Sequence, residues 1–422
     1  MKEKTISGQN PSQTQPASRD IQSKAPNSST VVARRSFIKG LGVVGATLLP
    51  GAMLPGAALL KAQSNSSGKL SKGDADLLRF ALWAEIVESD LWTQYNELGG
   101  ATAPNDGPAN PGNPPYIAAL QNLDGDMPQY ITDNNDDELS HAAFLDAYLR
   151  AHGAESVNLD QFRILQGSTA TGVDKTKIGK RLTNLLSLNV DLSWYTRYRS
   201  GENPDLGANI AGPFTISNQP AIPLNDSDTP PNVVVPPGPI PTNNSPAQRI
   251  QAIANTAGFH FAFIEQGGTS LYPTLALKAT SEEVLRILLS IGGVEIDHFS
   301  LWHDKAGNAV AQPLAGVTDP ETKLTFPDLN DPATLAALHL QLELTQTNKI
   351  QPEPCAFLQT SLPACSIIRP TSTQLGGAVA TVNSFAADGL FQGLPEAFMT
   401  LSMQLATAAD NAKRHGHSFD LI

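Results

Sequence analysis

The chain has 422 residues, enough for two domains of ordinary size or for one domain with large insertions. Charged residues make up only 16% of it, which excludes a coiled coil and a highly charged disordered protein. Residues 1–62 carry eight Lys or Arg against two acidic residues, whereas the rest of the chain carries 20 basic and 38 acidic groups. Because so acidic a body repels phosphate backbones, we expect no nucleic-acid partner.

The first 62 residues predict a targeting segment and not a folded domain. Residues 1–30 are polar, and Arg34-Arg35 are followed by Phe37, Lys39 and a weakly apolar stretch, 41–60. This pattern resembles a twin-arginine (Tat) signal, which implies the Tat export machinery as a partner and a periplasmic or cell-surface location. The stretch is also long enough to cross a membrane, so the alternative is an uncleaved signal that anchors the protein.

Two helices are predicted after the signal. The first covers Asp74 to Leu98, with Gly99-Gly100 as its end. A Pro/Asn/Gly-rich insertion, 101–132, follows and surrounds a short apolar piece near 116–120. The second helix covers Asp133 to His152, with acidic residues at its start.

A second insertion, 154–245, separates this pair from the next pair of helices. Its first part favours a helix over Lys177 to Tyr198, and its Pro/Asn-rich remainder predicts a long connection. Ser245-Pro246 then predicts an N-cap and a first-turn proline for a third helix, which we expect Pro273 to end after Tyr272.

A capping box, residues 280–283, opens the fourth helix, which we expect to reach about Asp304. Beyond a loop at 306–332, two further helices are predicted, Pro332 to Ile350 and Pro395 to Arg414. Strand signals are few, so the sequence predicts an all-α fold. The predicted organisation is a signal region, 1–62, a four-helix bundle, 70–305, and a C-terminal extension, 306–422, whose helices pack on the bundle.

The second and fourth helices each contain the motif E-x-x-H, as Glu138/His141 and Glu295/His298. Residues three apart lie on one helix face, so a carboxylate and an imidazole can bind the same ion. Either pair by itself is also consistent with an ordinary solvated helix start or a polar interruption of a core helix. Two such pairs in two well-defined helices favour a metal site.

The first and third helices each add a glutamate inside an apolar stretch, Glu85 and Glu265. A carboxylate in such a place is costly unless it is paired or bound to a metal. Each glutamate is followed seven residues later by an aromatic residue, Trp92 and Tyr272. The order Glu, E-x-x-H, Glu, E-x-x-H therefore forms an internal repeat, typical of carboxylate-bridged bundles with two iron or manganese ions.

With these motifs the chain resembles the ferritin-like superfamily, and within it the exported proteins related to desiccation and stress. Residues 82–92 and 138–145 carry the resemblance, with 294–301 and 389–410 adding to it. The resemblance implies a ferritin-like four-helix bundle with long inserted loops and additional C-terminal helices. It also implies two Fe or Mn ions and no organic cofactor.

Carried over by position, one metal would be bound by Glu85, Glu138 and His141. The other would be bound by Glu265, Glu295 and His298, with Glu138 and Glu295 as the bridges between the ions. Three further residues are expected beside the ligands, where they would orient them: Glu88, Tyr272 and Asp297. Glu88 is also the alternative ligand on the first helix.

The resemblance implies an exported protein that acts on a small oxidant, O2 or H2O2, in stress protection, and the superfamily suggests a homodimer. The main alternative is a non-enzymatic desiccation or stress protein with a vestigial metal site, and a weaker one is a surface protein that binds a partner through its Pro-rich loops. Of the other histidines, His260 and His303 are expected in the core or at its boundary. Cys355 and Cys365 are equally consistent with a disulfide and with free thiols.

Overall fold

The computed structural model describes residues 68–101, 112–192, 215–238, 240, 242–337, 352–353, 365–366 and 373–414. The chain divides into two units, Met1–Ala58 and Leu59–Ile422, and the described residues all belong to the second. The predicted export signal and the predicted alternatives for Cys355 lie outside the described residues. Among the helices that the structure describes, none combines the length and apolar character needed to span a bilayer.

Helices make up most of the described chain, and the prediction of an all-α fold is confirmed. The helices are α1 Lys72–Gly99, α2 Pro114–Gln121, α3 Met127–Ala151, α4 Pro246–Ala276, α5 Glu282–Ala306, α6 Pro332–Ala337, α7 Thr373–Gly376, α8 Ala378–Ala387 and α9 Glu396–Asp410. Short 3-10 turns cover Asp160–Phe162 and Gly307–Val310. Two strands of two residues each, β1 Pro352–Glu353 and β2 Cys365–Ser366, pair antiparallel, with Pro352 opposite Ser366.

The four long helices α1, α3, α4 and α5 form the bundle that holds the site. α1 packs along α3, and α4 packs along α5. Apolar residues repeat along each helix and are buried where the helices meet, which is the main source of helix stability in a folded protein. The short helix α2 packs against α4 and so covers one side of the bundle.

Serine side chains fix where three of the bundle helices begin. The Ser71 hydroxyl accepts a hydrogen bond from the Asp74 amide at 3.0 Å, and Ser245 accepts one from Gln248 at 3.3 Å. Ser281 accepts from the amides at 283 and 284. The N-cap predicted at Ser245 is therefore confirmed. The capping box predicted over 280–283 does contain the start of α5, and the N-cap there is Ser281.

Two predicted boundaries of the bundle helices are wrong. The second bundle helix, α3, begins at Met127 and not at Asp133. Pro128 lies in its first turn, where a backbone N–H has no carbonyl partner within the helix, so a proline is compatible with the helix there. The third, α4, continues through Pro273 to Ala276. The Leu277 amide reaches the Pro273 carbonyl at 3.2 Å, so the last turn closes beyond the proline.

The helix predicted over 177–198 is wrong for its described part, 177–192, which is irregular. The carboxylate of Asp90 on α1 accepts hydrogen bonds from the amides of Leu182, at 3.0 Å, and Thr183, at 2.9 Å. These amides are satisfied by α1 and not by carbonyls of their own segment. The apolar residues of the segment are nevertheless buried: Leu182, Leu185, Leu188, Val190 and Leu192.

The C-terminal helices pack on the bundle through one aromatic side chain of α1. The Trp83 indole N–H donates to the Ser402 hydroxyl of α9 at 3.0 Å, and its ring contacts Phe385, Phe391 and Phe398. The helix predicted from Pro395 is α9, which ends earlier than predicted. The helix predicted over 332–350 is described only to Ala337, as α6, and α8 was not predicted.

Candidate metal centre

The four bundle helices bring all six predicted ligand side chains together in the bundle interior. Within each E-x-x-H motif the spacing of three residues places the carboxylate and the imidazole on the same inward face. The four glutamates have no exposed surface, and each histidine is 9% exposed. The residues are Glu85 on α1, Glu138 and His141 on α3, Glu265 on α4, and Glu295 and His298 on α5.

The ligand atoms form two overlapping groups of four, and within each group the atoms lie within 4.8 Å of one another. We call them position 1 (Glu85, Glu138, His141 and Glu295) and position 2 (Glu138, Glu265, Glu295 and His298). Glu138 and Glu295 belong to both positions. The geometry thus suits the predicted bridging carboxylates, and ligation itself stays a prediction.

The imidazoles face the carboxylates closely at both positions. His141 Nδ1 lies 3.2 Å from Glu85 Oε2, 3.3 Å from Glu138 Oε2 and 3.6 Å from Glu295 Oε1. His298 Nδ1 lies 3.2 Å from Glu138 Oε1 and 3.3 Å from Glu265 Oε2. Each imidazole therefore presents one nitrogen to the carboxylates, as a metal-binding histidine does.

The donor set leaves carboxylate oxygens that a cation would satisfy. A fifth glutamate, Glu88, is 2% exposed and faces the same cluster, so five carboxylates meet two imidazoles. Among the described residues, no hydrogen-bond donor reaches Glu88 Oε2 or Glu295 Oε2. Buried carboxylate oxygens without donors are costly, so the residues present fit a pair of metal cations.

The carboxylates of the cluster have unequal proton affinities. Burial raises the pKa of Glu85 to about 8, and nearby His141 offsets only part of this rise. Burial, together with the charge of Glu138, also raises the pKa of Glu88 and of Glu295. Burial opposes ionisation of Glu138 too, but hydrogen bonds from both histidines hold its pKa below the usual range.

The histidines are held in the charged form by the same carboxylates. Burial acts to lower the pKa of His141, but the Glu85 carboxylate outweighs it and raises the pKa to about 10. The pKa of His298 is raised in the same way, against burial, chiefly by Glu265. In the absence of a metal, the protons on the histidines balance part of the negative charge of the carboxylates. A bound cation would take over this role.

The two aromatic residues of the repeat orient the outer carboxylates, and each reaches across to the opposite half. The Trp92 indole N–H donates to Glu265 Oε1 at 2.9 Å. The Tyr272 hydroxyl donates to Glu85 Oε1. Burial raises the pKa of Tyr272 well above its ordinary value, so this phenol stays protonated and remains a donor. The contact expected of Tyr272 is therefore present in the structure.

Sequence reasoning missed two side chains that hold the ligands in place. Asn134 donates to Glu138 Oε1 at 2.8 Å and to Glu265 Oε1 at 3.1 Å. His298 Nε2 lies 3.3 Å from Asp137 Oδ2, the kind of carboxylate contact that fixes the tautomer of a metal-binding histidine. Asn134 lies one turn before Glu138 on the same face of α3, a spacing that would have indicated it.

Asp297 does not lie in the interior with the candidate ligands. Its side chain is exposed, because it follows Glu295 by only two residues and so points away from the interior. The carboxylate that faces Nε2 of His298, on the side away from Glu138 and Glu265, is Asp137.

A glycine of α4 makes room for one bridging candidate. A Cβ at Gly268 would lie 2.5 Å from Glu295 Oε2 and 3.0 Å from its Cδ. Such distances are far below van der Waals contact, so any side chain here would displace the Glu295 carboxylate.

Comparison with known proteins agrees with this geometry. The family model for the ferritin-like domain matches residues 73–308, more than half of the chain. The match contains the inserted loops between the bundle helices and every residue of positions 1 and 2. No curated protein and no solved structure matches the chain. The chain belongs to the family of ferritin-like domain proteins.

Proposed function

We propose that this is an exported protein with a dinuclear iron or manganese centre, which acts on O2 or peroxide in stress protection. The observation that carries the proposal is the pair of overlapping ligand groups, which share Glu138 and Glu295 inside the bundle. Both groups combine carboxylates with one imidazole and contain no thiolate, a donor set that suits Fe or Mn.

Two neighbouring ions, once bound, supply the two electrons that reduction of O2 or peroxide requires. The residues of the chain would bind the ions and orient the ligand side chains. Glu138 and Glu295 hold both positions together, Tyr272 orients Glu85, and Trp92 orients Glu265. Complete burial of the four glutamates excludes bulk water from the centre.

The histidines mark the side from which a small oxidant reaches the centre. His141 and His298 are each 9% exposed, whereas the four carboxylate ligands have no exposed surface. Both histidines lie on the E-x-x-H helices α3 and α5, so the least buried candidate ligands come from these two helices. Ligands with so little exposed surface favour a diatomic or peroxide molecule over a large organic substrate.

Export and the role in stress are supported by the sequence. The paired arginines and the weakly apolar stretch resemble a Tat signal, and the phrases around Glu85 and Glu138 resemble stress-related proteins of the superfamily. Since the Tat route carries folded proteins, a centre loaded before export is consistent with this signal.

Elemental analysis of the full chain purified from the exported fraction tests the proposal. We expect about two Fe or Mn per chain and consumption of H2O2 or O2 by the loaded protein. His141→Ala and Glu295→Gln should lose tight metal binding while the helices remain formed. The matched control is His152→Gln, because His152 lies at the end of α3 and bonds the Tyr148 carbonyl.

Two results would contradict the proposal. Failure to bind metal even after reconstitution would favour the non-enzymatic structural protein. Two metals retained in both ligand variants would show that the ligand assignment is wrong.

A further inference from the structure

A second buried polar cluster lies beside the centre and takes no part in binding the ligands. The Tyr95 hydroxyl is 2.7 Å from His260 Nδ1, and His260 Nε2 is 2.9 Å from Asp388 Oδ2. Tyr95 and His260 have no exposed surface, and Asp388 is 1% exposed. The three residues come from α1, α4 and the end of α8, so they form a tyrosine–histidine–carboxylate triad closed to solvent.

The direction of the hydrogen bonds follows from the chemistry of the three groups. Burial raises the pKa of Tyr95 well above its ordinary value, so the phenol is protonated and donates to His260 Nδ1. The other ring nitrogen then carries the proton that Asp388 accepts. Burial raises the pKa of Asp388, and the His260 ring opposes that rise. Tyr95 thus has a base in direct contact, with a carboxylate behind the base.

Aromatic contacts connect Tyr95 to the metal centre. Its ring centroid lies 5.7 Å from that of Trp92, whose indole N–H donates to Glu265 at 2.9 Å. The Trp92 ring also stacks on Trp302, with centroids 5.4 Å apart. An electron can therefore leave Tyr95 through rings in contact, without crossing a gap of solvent.

We propose that Tyr95 is a redox-active tyrosine whose oxidation is coupled to proton transfer to His260. A high-potential one-electron oxidant takes one electron from the phenol by way of Trp92. The O–H bond of Tyr95 breaks, and its proton forms an N–H bond at His260 Nδ1. The products are a neutral phenoxyl radical and an imidazolium that Asp388 faces. Return of one electron and of the proton restores the phenol.

Proton transfer is what makes the oxidation feasible in this place. A phenol that lost only an electron would leave a positive charge on a fully buried ring, which is costly. Transfer to His260 places the positive charge next to the Asp388 carboxylate instead. Tyr116 provides a contrast, because its equally buried hydroxyl donates to the Ala221 carbonyl at 2.7 Å, and a carbonyl is too weak a base to take the proton.

The inference goes beyond the proposed function and is tested without metal. The full chain, freed of metal by chelation, is oxidised with photogenerated tris(bipyridine)ruthenium(III), frozen, and measured by electron paramagnetic resonance. We expect a tyrosyl radical in the wild-type protein and in Tyr116→Phe, and loss of the signal in Tyr95→Phe. His260→Gln should shorten the lifetime of the radical, an effect that a merely structural role would not produce.

A measurement on the unmodified protein keeps the test independent of how the variants fold. Electron–nuclear double resonance in H2O and D2O should show an exchangeable proton hydrogen-bonded to the phenoxyl oxygen, as a protonated His260 requires. Absence of a tyrosyl radical, a radical without that proton, or a signal that survives in Tyr95→Phe would each overturn the proposal. Because no metal is present, these outcomes leave the test of the metal centre unaffected.

Discussion

At the scale of single residues, Glu88 and Gly268 make the two halves of the bundle unequal around the metal centre. Each lies three residues after an outer glutamate, so the internal repeat places them at equivalent positions. One half adds a buried carboxylate there, and the other leaves the space that Glu295 occupies. Positions 1 and 2 therefore have different surroundings, although their sets of candidate ligands match.

Gly268→Ala should weaken metal binding by about 10–100-fold, as loss of ligand orientation does at other metal sites. The added methyl group would displace the Glu295 carboxylate, which belongs to both positions. Competition with a chelator measures the affinity. Gly293→Ala on α5 is the matched control, because a Cβ there meets nothing within 4 Å and should only stabilise the helix, by about 0.5–1 kcal/mol. Equal affinities in the two variants would contradict the role of Gly268.

Metal binding should release protons and should strengthen as pH rises. Burial raises the pKa of Glu85 to about 8, and the Glu85 carboxylate raises the pKa of His141 to about 10, so at pH 7 this pair of groups holds a proton that a cation must displace. Affinity should fall as pH drops below 8, because an added proton competes with the ion. Calorimetric titration in buffers of different ionisation enthalpy counts the protons released. Binding without proton release at pH 7 would show that these sites do not carry the expected protons.

The ligand candidates could be predicted from sequence, whereas the residues that orient them mostly could not. Glu138/His141 and Glu295/His298 follow from helical spacing, and Glu85 and Glu265 stand out as charges within apolar stretches. Asp137 and Gly268 could not be found in this way. In the sequence, Asp137 looks like an ordinary residue of an acidic helix surface. Gly268 is needed because it leaves room for Glu295, a side chain of another helix, and local sequence does not show that contact.

At the scale of elements, the structure shows which local signals determine a helix and which are overruled by distant contacts. The bundle helices carry their own caps and apolar period, and their existence could be predicted. The segment 177–192 carries apolar residues at helical spacing, but Asp90 and the neighbouring chain bind its amides. Because Asp90 lies about 90 residues away in the sequence, the pattern of residues within 177–192 does not indicate this contact.

Asp90→Ala should lower the free energy of unfolding by about 2–4 kcal/mol, because it leaves the buried amides of Leu182 and Thr183 without an acceptor. Urea denaturation measures the change, and limited proteolysis should show new cleavage within 177–192. Asp160→Ala is the control, because Asp90 and Asp160 both contact Arg163 but the Asp160 side chain is exposed. Similar stabilities for both variants would show that Asp90 does not hold this segment in place.

At the scale of the whole molecule, one buried arginine joins the bundle to the second insertion and to the chain that follows α5. Arg249 on α4 contacts Asp228 of the second insertion at 3.0 Å and Asp319, beyond α5, at 2.5 Å. All three side chains are at most 5% exposed. The insertion and the segment after the bundle are thus anchored to the same point of α4.

The crossed aromatic contacts have a consequence for how the centre assembles. Trp92 of the first helix pair holds Glu265 of the second, and Tyr272 of the second holds Glu85 of the first. Each metal position also takes one ligand from the opposite pair. Neither helix pair supplies all the candidate ligands of a position, so we expect a metal ion to bind tightly only after both pairs have folded and docked.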